Sequence, residues 1–243
     1  MIPPERIFHR LSYLRSTLRC VEHLARLDLP IAGRSVLEVG AGIGNFTSFF
    51  LDRGCTVTST EPRAENVACF RERLAEEPLW PSDRLRIVES DAASLVTHGV
   101  GVHDVVVCLQ VLNLTGDPES LLETIGALCG ELLLVECGTH SGENRNRDTI
   151  EFRSLDSVDP GGSLDGRACI PSRPWVFNRL KQAFPHVYMP LEQPLYDRYR
   201  EDWREADLER GQHRAIFIAT RSPLEHPLLV ERIPERYPPH PNR

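Results

Sequence analysis

The stretch that most limits what this chain can fold into is Val36-Leu37-Glu38-Val39-Gly40-Ala41-Gly42-Ile43-Gly44-Asn45-Phe46-Thr47, an apolar strand running into three alternate glycines and then a helical pattern. Glycines at 40, 42 and 44 allow positive φ and close approach of the backbone to a ligand. The helix that follows presents unpaired N–H groups at its start. A polar ligand is therefore expected at this turn. The spacing is G-x-G-x-G; the dinucleotide fingerprint G-x-G-x-x-G would require glycine at position 45, where Asn45 stands, which argues against a nicotinamide cofactor.

Strand-length apolar runs recur beyond it: Ser35 to Val39, Thr56 to Thr60, Leu85 to Glu89, Asp104 to Leu109 and Glu131 to Glu136. Val105 to Leu109 and Leu132 to Val135 are apolar almost throughout, as strands covered on both faces are. Helical patterns separate them at Asn45 to Asp52, Arg63 to Ala75 and Pro118 to Leu128, the last entered through Asp117 as N-cap with Pro118 at the first helical position. This alternation predicts an α/β fold with a doubly wound, mainly parallel sheet. A helix at Trp175 to Ala183, a short strand at Val187 to Met189 and a last strand at Arg214 to Arg221 complete it. Before the sheet, Ile7, Leu11, Leu14, Leu18, Val21, Leu24 and Leu27 predict one amphipathic helix over residues 5–28.

Three parts follow: an N-terminal helical cap (1–30), a ligand-binding domain (31–221) and a proline-rich tail (222–243) read as an extended wrap or disorder. Segments 138–173 and 190–212 do not fit the alternation, and insertions of that length are usually functional.

With 28 Lys and Arg against 35 Asp and Glu, the net charge is −7 and no basic run is present, which argues against nucleic acid as a partner. No apolar stretch approaches the roughly 18–20 residues of a membrane span, and no leader pattern opens the chain, so a cytoplasmic protein without a membrane partner is expected. The seven cysteines are scattered without ligand spacing and read as buried thiols; no metal site is expected.

Glu61 ends the second strand, seventeen residues after Gly44, where a carboxylate can accept both hydroxyls of a ribose. Asp91 and Ala92 follow the third strand, placed to meet an exocyclic amine. The glycine turn, Glu61 and Asp91 together resemble the first three motifs of class I S-adenosylmethionine-dependent methyltransferases, a likeness covering residues 33–137. It implies a seven-stranded Rossmann-like sheet with an antiparallel last strand, S-adenosylmethionine as cofactor, and methyl transfer to a small molecule, most naturally at a hydroxyl of a sugar or natural product. An N- or macromolecule methyltransferase and a non-catalytic cofactor binder are the alternatives.

By the same resemblance Glu38, Gly40, Ala41, Gly42 and Gly44 hold the methionine part of the cofactor. Glu61 then takes the ribose, Asp91 and Ala92 the adenine edge, and Leu109 and Gln110 wall the sulfonium. Phe49 to Cys55 with Glu61-Pro62-Arg63, and Pro171 to Phe177, resemble the FkbM-like group. Where those sequences often carry a histidine, this chain has Asn113.

A hydroxyl acceptor calls for a general base at the carboxyl end of a strand. Glu136 and His140, after the fifth strand, are the candidates; His186 and His213 are weaker ones. For the acceptor itself, Tyr13 on the leading helix, Arg173, and Asp202 with Trp203 in a lid are the expected contacts. Arg145, Arg147, Arg153 and Arg167 add forks suited to a carboxylate or phosphate.

Overall fold

The computed structural model describes residues 2–76, 82–155 and 159–238. The chain runs α1 (Pro4–Phe8), α2 (Leu11–Leu27), β1 (Ser35–Val39), α3 (Thr47–Leu51), β2 (Thr56–Glu61), α4 (Ala64–Glu76), β3 (Leu85–Glu89), β4 (His103–Leu109), α5 (Pro118–Ala127), β5 (Cys129–His140), β6 (Ile150–Ser154), β7 (Arg167–Pro171), α6 (Arg173–Ala183), β8 (His186–Pro190), β9 (Gln212–Thr220) and β10 (Leu229–Val230).

The sheet order is β10-β8-β9-β5-β4-β1-β2-β3. The pairs from β3 across to β5 are all parallel, and β9 inserts antiparallel between β5 and β8. The mainly parallel sheet with a reversed late strand is as expected, but it has eight strands rather than seven. The extra strand is β10, from the segment read as wrap or disorder, paired antiparallel with β8. The tail continues as a wrap: the Trp203 N–H donates to the Glu235 carbonyl and the Tyr237 N–H to the Glu201 carbonyl. Pro239 and Pro241 lie outside the described residues.

Alternation along the buried strands explains their continuous apolarity. Leu37, Val106, Leu133 and Phe217 point into one core with Leu122 and Ile125 of α5 and Val176 and Leu180 of α6. Val36, Val105, Leu134 and Ile216 point into the other, with Cys20, Leu24 and Leu27 of α2 and Phe49 and Phe50 of α3. Burial on both faces leaves no polar side of the sheet. Asp117 and Ser172 cap α5 and α6 by accepting from Ser120 N and Trp175 N at 3.1 Å each.

The leading helix is not continuous. It breaks at His9 and Arg10, where Arg10 takes extended backbone (φ −57°, ψ 136°). The break rotates α2 so that Ser16, Thr17, Cys20, His23, Leu24 and Leu27 face the protein, while Leu11 and Leu18 of the expected stripe are exposed. It also frees α1 to fold back over the glycine turn: Ile7 and Phe8 pack with Ile43 and Cys69. Segment 138–173 is less irregular than its composition suggests, since β5 extends to His140 along β9 and β6 pairs β7 in a second, two-stranded sheet. All seven cysteines are buried free thiols.

Candidate active site

The carboxyl ends of β1, β2 and β4 converge on a cavity of about 470 Å³, walled on the outside by α1, the start of α2 and the β6–β7 insertion. That is where an open α/β sheet holds its ligand, and the volume falls in the ordinary range for small-molecule sites. Gly40 (φ +71°) and Gly42 (φ +59°) form its floor. A Cβ on Gly40 would stand 2.5 Å from Val111 Cγ2, and one on Gly42 2.7 Å from the Phe8 ring, so both the backbone angles and the packing demand glycine.

Glu61 ties the second strand to this turn. Its Oε2 accepts from Gly42 N at 2.9 Å, and Oε1 accepts from Arg63 N at 3.1 Å and Asn66 Nδ2 at 2.9 Å. Burial pushes its carboxyl above the usual range, while those three donors pull it back. Asn66 Oδ1 is buried and without a partner beside it. The insertion closes over the same corner, with the Pro160 carbonyl accepting from Asn66 Nδ2 at 3.0 Å and the Ser163 carbonyl from Arg63 at 2.9 Å.

Glu38 lies beneath the turn. Thr47 Oγ1 and Ser59 Oγ both donate to its Oε2, at 2.5 and 2.7 Å, and its Oε1 is buried without a partner. Burial without a countercharge pushes its carboxyl up to about 7. Glu38, Ala41 and Gly44 do not line the cavity; they shape the turn from behind.

Of the other expected cofactor contacts, Leu109 and Gln110 line the cavity. Gln110 is the one non-glycine residue besides Asp28 with positive φ among the described residues (+66°), a strained conformation of the kind that clusters at functional sites. Asp91 and Ala92 do not line it. Asp91 is exposed and caps a short turn by accepting from Ser94 N at 2.8 Å, because β3 is the edge strand and the chain turns outward after it. Ala92 instead packs against the core under α5.

The two expected bases are also displaced. Glu136 is fully buried, accepting from Arg214 Nη1 at 2.7 Å on both oxygens and from the Tyr199 hydroxyl at 2.9 Å, so its lone pairs are committed inside the protein. His140 Nε2 donates to Glu151 at 2.6 Å and Nδ1 accepts from Gly142 N at 3.0 Å, and the ring does not reach the cavity. His186 pairs with Glu231 at the far edge of the sheet. Asn113, standing where a histidine was considered, clamps Gly138 N and O and the Cys169 carbonyl.

Among the acceptor contacts, Tyr13 lines the cavity, edge-on to Phe8 at 5.1 Å. Arg173, Asp202 and Trp203 do not. Arg173 is buried, its guanidinium 3.9 Å over the Trp203 ring and donating to the Pro234 carbonyl at 2.6 Å; Asp202 pairs with Arg204 on the surface. They anchor the tail rather than form a lid, since Trp203 buries nearly its whole ring there. Arg145 is spent on the Trp203 and Arg204 carbonyls, and of the insertion's arginines Arg153 reaches the cavity.

The sequence reading missed Phe8, Gln212 and Arg214, which also line it. The signal for the last two is the reversed last strand: antiparallel pairing to β5 sets Gln212 opposite His140 and Arg214 opposite Gly138, at the same sheet end as the glycine turn.

Comparison with known proteins decides what this turn and acid belong to: residues 37–131 match the family described as "Methyltransferase domain". Over those residues the chain is similar to a methyltransferase domain. Similar over the same kind of domain are a ubiquinone biosynthesis O-methyltransferase of Psychrobacter arcticus, 26% identical over 118 residues (47% of this chain, 45% of that one), and a ribosomal RNA small subunit methyltransferase A of Anaeromyxobacter sp. (strain K), 39% identical over 75 residues (31% and 24%). The chain thus spans less than half the length of each of these curated relatives. The N-terminal domain of EvdMO1, crystallised in the presence of SAH and D-fucose, superposes with a TM-score of 0.64 at 14% identity, covering 84% of this chain and 82% of that one. At that identity the likeness is one of fold: the methyltransferase domain here has the Rossmann-like class I architecture. Among the described residues no helix is long and apolar enough to cross a membrane, and no group of three His, Cys, Asp or Glu could hold a metal.

Proposed function

We propose that this protein is an S-adenosylmethionine-dependent methyltransferase acting on an oxygen of a small molecule. The observation that carries the reading is Glu61: a buried carboxylate at the end of β2, joined through Gly42 N to the glycine turn and open to a cavity of about 470 Å³. The donor set fits the cofactor. The Glu61 carboxylate offers an acceptor to a diol, the Gly40–Gly42 backbone offers a close approach, and Leu109 and Gln110 form the wall beyond. When bound, S-adenosylmethionine supplies an activated methyl group, whose carbon bonds to the acceptor's lone pair as the carbon–sulfur pair returns to sulfur.

The chain's own residues then position and enclose. Glu61 is the one carboxylate in the described wall, and the wall holds no histidine. Its Tyr13 hydroxyl and Cys169 thiol stay protonated, since burial raises the first and pushes the second up to about 12. Rate enhancement is therefore assigned to alignment of the acceptor in a shielded cavity. Arg153 and Arg214 line the cavity, and their guanidinium groups suit an anionic acceptor. The likeness to an O-methyltransferase, and to a fold neighbour crystallised with SAH and D-fucose, supports an oxygen acceptor. The net charge of −7 supports a small molecule over RNA.

Calorimetric titration with SAH, and separately with NADH, tests the reading. Micromolar binding of SAH with no NADH binding is expected; binding of NADH alone, or of neither, would contradict it.

A further inference from the structure

A second cavity, of about 260 Å³, adjoins the first through a shared wall of Tyr13, Gln110, Gln212 and Arg214. It opens between the start of α2, the turn at Tyr196–Arg198 and the start of β9. Its lining contains no carboxylate, although the chain as a whole carries seven more acids than bases. Three arginines line it instead, Arg10, Arg198 and Arg214, together with His213.

These groups differ in what they are paired with. Arg214 is neutralised from behind by Glu136, at 2.7 Å. His213 Nε2 lies 2.7 Å from Asp207 and its Nδ1 3.1 Å from the Arg198 carbonyl, so its nitrogens are used on the protein side. Among the described residues the guanidinium groups of Arg10 and Arg198 have no hydrogen-bond or carboxylate partner, and both residues are exposed at the cavity. The Gln212 side chain, on the shared wall, is also without a hydrogen bond among the described residues. The helix break at Arg10 is what delivers that guanidinium here: in the continuous helix expected from the sequence, residues 5–28 would run on without turning over the site.

Two uncompensated guanidinium forks in a concave, acid-free wall next to the methyl-transfer cavity are the chemistry that recognises an oxyanion. We propose that the methyl acceptor is a small organic anion whose carboxylate or phosphate is held by Arg10 and Arg198, with its reacting oxygen directed past Gln110 and Gln212 into the first cavity. This rests on the methyltransferase reading above and adds the substrate class to it. At about 260 Å³ the cavity has room for an anionic group and part of a ring.

The test uses the full chain with Arg10→Gln and Arg198→Gln, singly and together, at matched ionic strength. The probes are inorganic phosphate and benzoate, titrated in the presence and absence of SAH and read as the shift of the unfolding midpoint with concentration. The proposal expects at least one of the two anions to bind the wild type, with its dissociation constant weakened at least tenfold in the double variant and SAH affinity unchanged within twofold. The tighter probe separates carboxylate from phosphate recognition. Equal anion affinity in wild type and double variant, or a shift no larger than with chloride, would overturn it. Binding of a short single-stranded RNA that is tighter than either anion and is lost in the same variant would also overturn it, in favour of a macromolecular acceptor. If SAH fails to bind while the anion effect persists, the cofactor reading falls and the anion site stands; with SAH bound and the anion effect absent, the reverse holds.

Discussion

The proposed cofactor and acceptor ends of the cavity are built in different ways, and two buried acids show how. At the cofactor end Glu61 and the glycine turn belong to one stretch, residues 38–66, and the carboxylate is held by two backbone N–H groups and an amide. Neutral donors satisfy it without cancelling its charge, and it keeps a face on the cavity. At the acceptor end Glu136 is matched by Arg214 and Tyr199 and shut inside the protein. Its role is to fix Arg214, whose other side forms the wall of both cavities. An acid held by dipoles serves a ligand; an acid held by a cation serves the scaffold.

If that contrast is right, the largest penalty comes from leaving Glu136 without its cation. Arg214→Met should lower the unfolding free energy by about 3–5 kcal/mol in denaturant titration, the range for breaking a buried pair. Glu136→Gln should cost less, because the Arg214 side chain is 24% exposed and can be reached by water while Glu136 cannot. Equal costs for the two would break the comparison.

Glu38 sharpens it from another side, as a buried acid with no cation and no ligand face. Its carboxyl is raised, so the folded state holds the proton more tightly than the unfolded one. Its contribution to stability is thus present below pH 4.5 and is lost as pH rises toward about 7. At about 1.4 kcal/mol per pH unit, the loss is about 3 kcal/mol over that window. Subtracting the wild-type pH–stability curve from that of Glu38→Gln should expose the missing slope; superimposable curves would mean Glu38 ionises normally.

The same contrast explains what could be read from the sequence. The strands, the capped start of α5 and the glycine turn are local: strands covered on both faces are apolar throughout, and Asp117-Pro118 states its own helix start. Glu61 was legible because it is a strand end in line with that turn. At the acceptor end only Tyr13 and Gln110 were legible; Arg10, Arg198, Gln212 and Arg214 join them through the helix break at Arg10 and the reversed pairing of β9, neither of which has a local signature. Glu136 and His140 sit at the strand end where a base belongs, but partners 78 and 11 residues away had already taken their lone pairs and proton. Arg173, Asp202 and Trp203 have the composition of a substrate lid, and nothing near them in sequence reveals that the tail segment around Pro234 and Tyr237 is what they hold. The eighth strand was hidden for a related reason, since its two residues pair within a segment whose prolines read as wrap.

Two acids that stood side by side in the sequence reading give the smaller effects and the most direct test. SAH should be titrated into wild type, Glu61→Gln and Asp91→Ala under one set of conditions. Loss of a charged hydrogen-bond acceptor should weaken binding to Glu61→Gln by about 1.5–3 kcal/mol. Asp91→Ala, which loses only a turn cap facing solvent, should change affinity by less than about 0.5 kcal/mol. Undiminished binding to Glu61→Gln, or a larger loss with Asp91→Ala, would contradict the cofactor site described here.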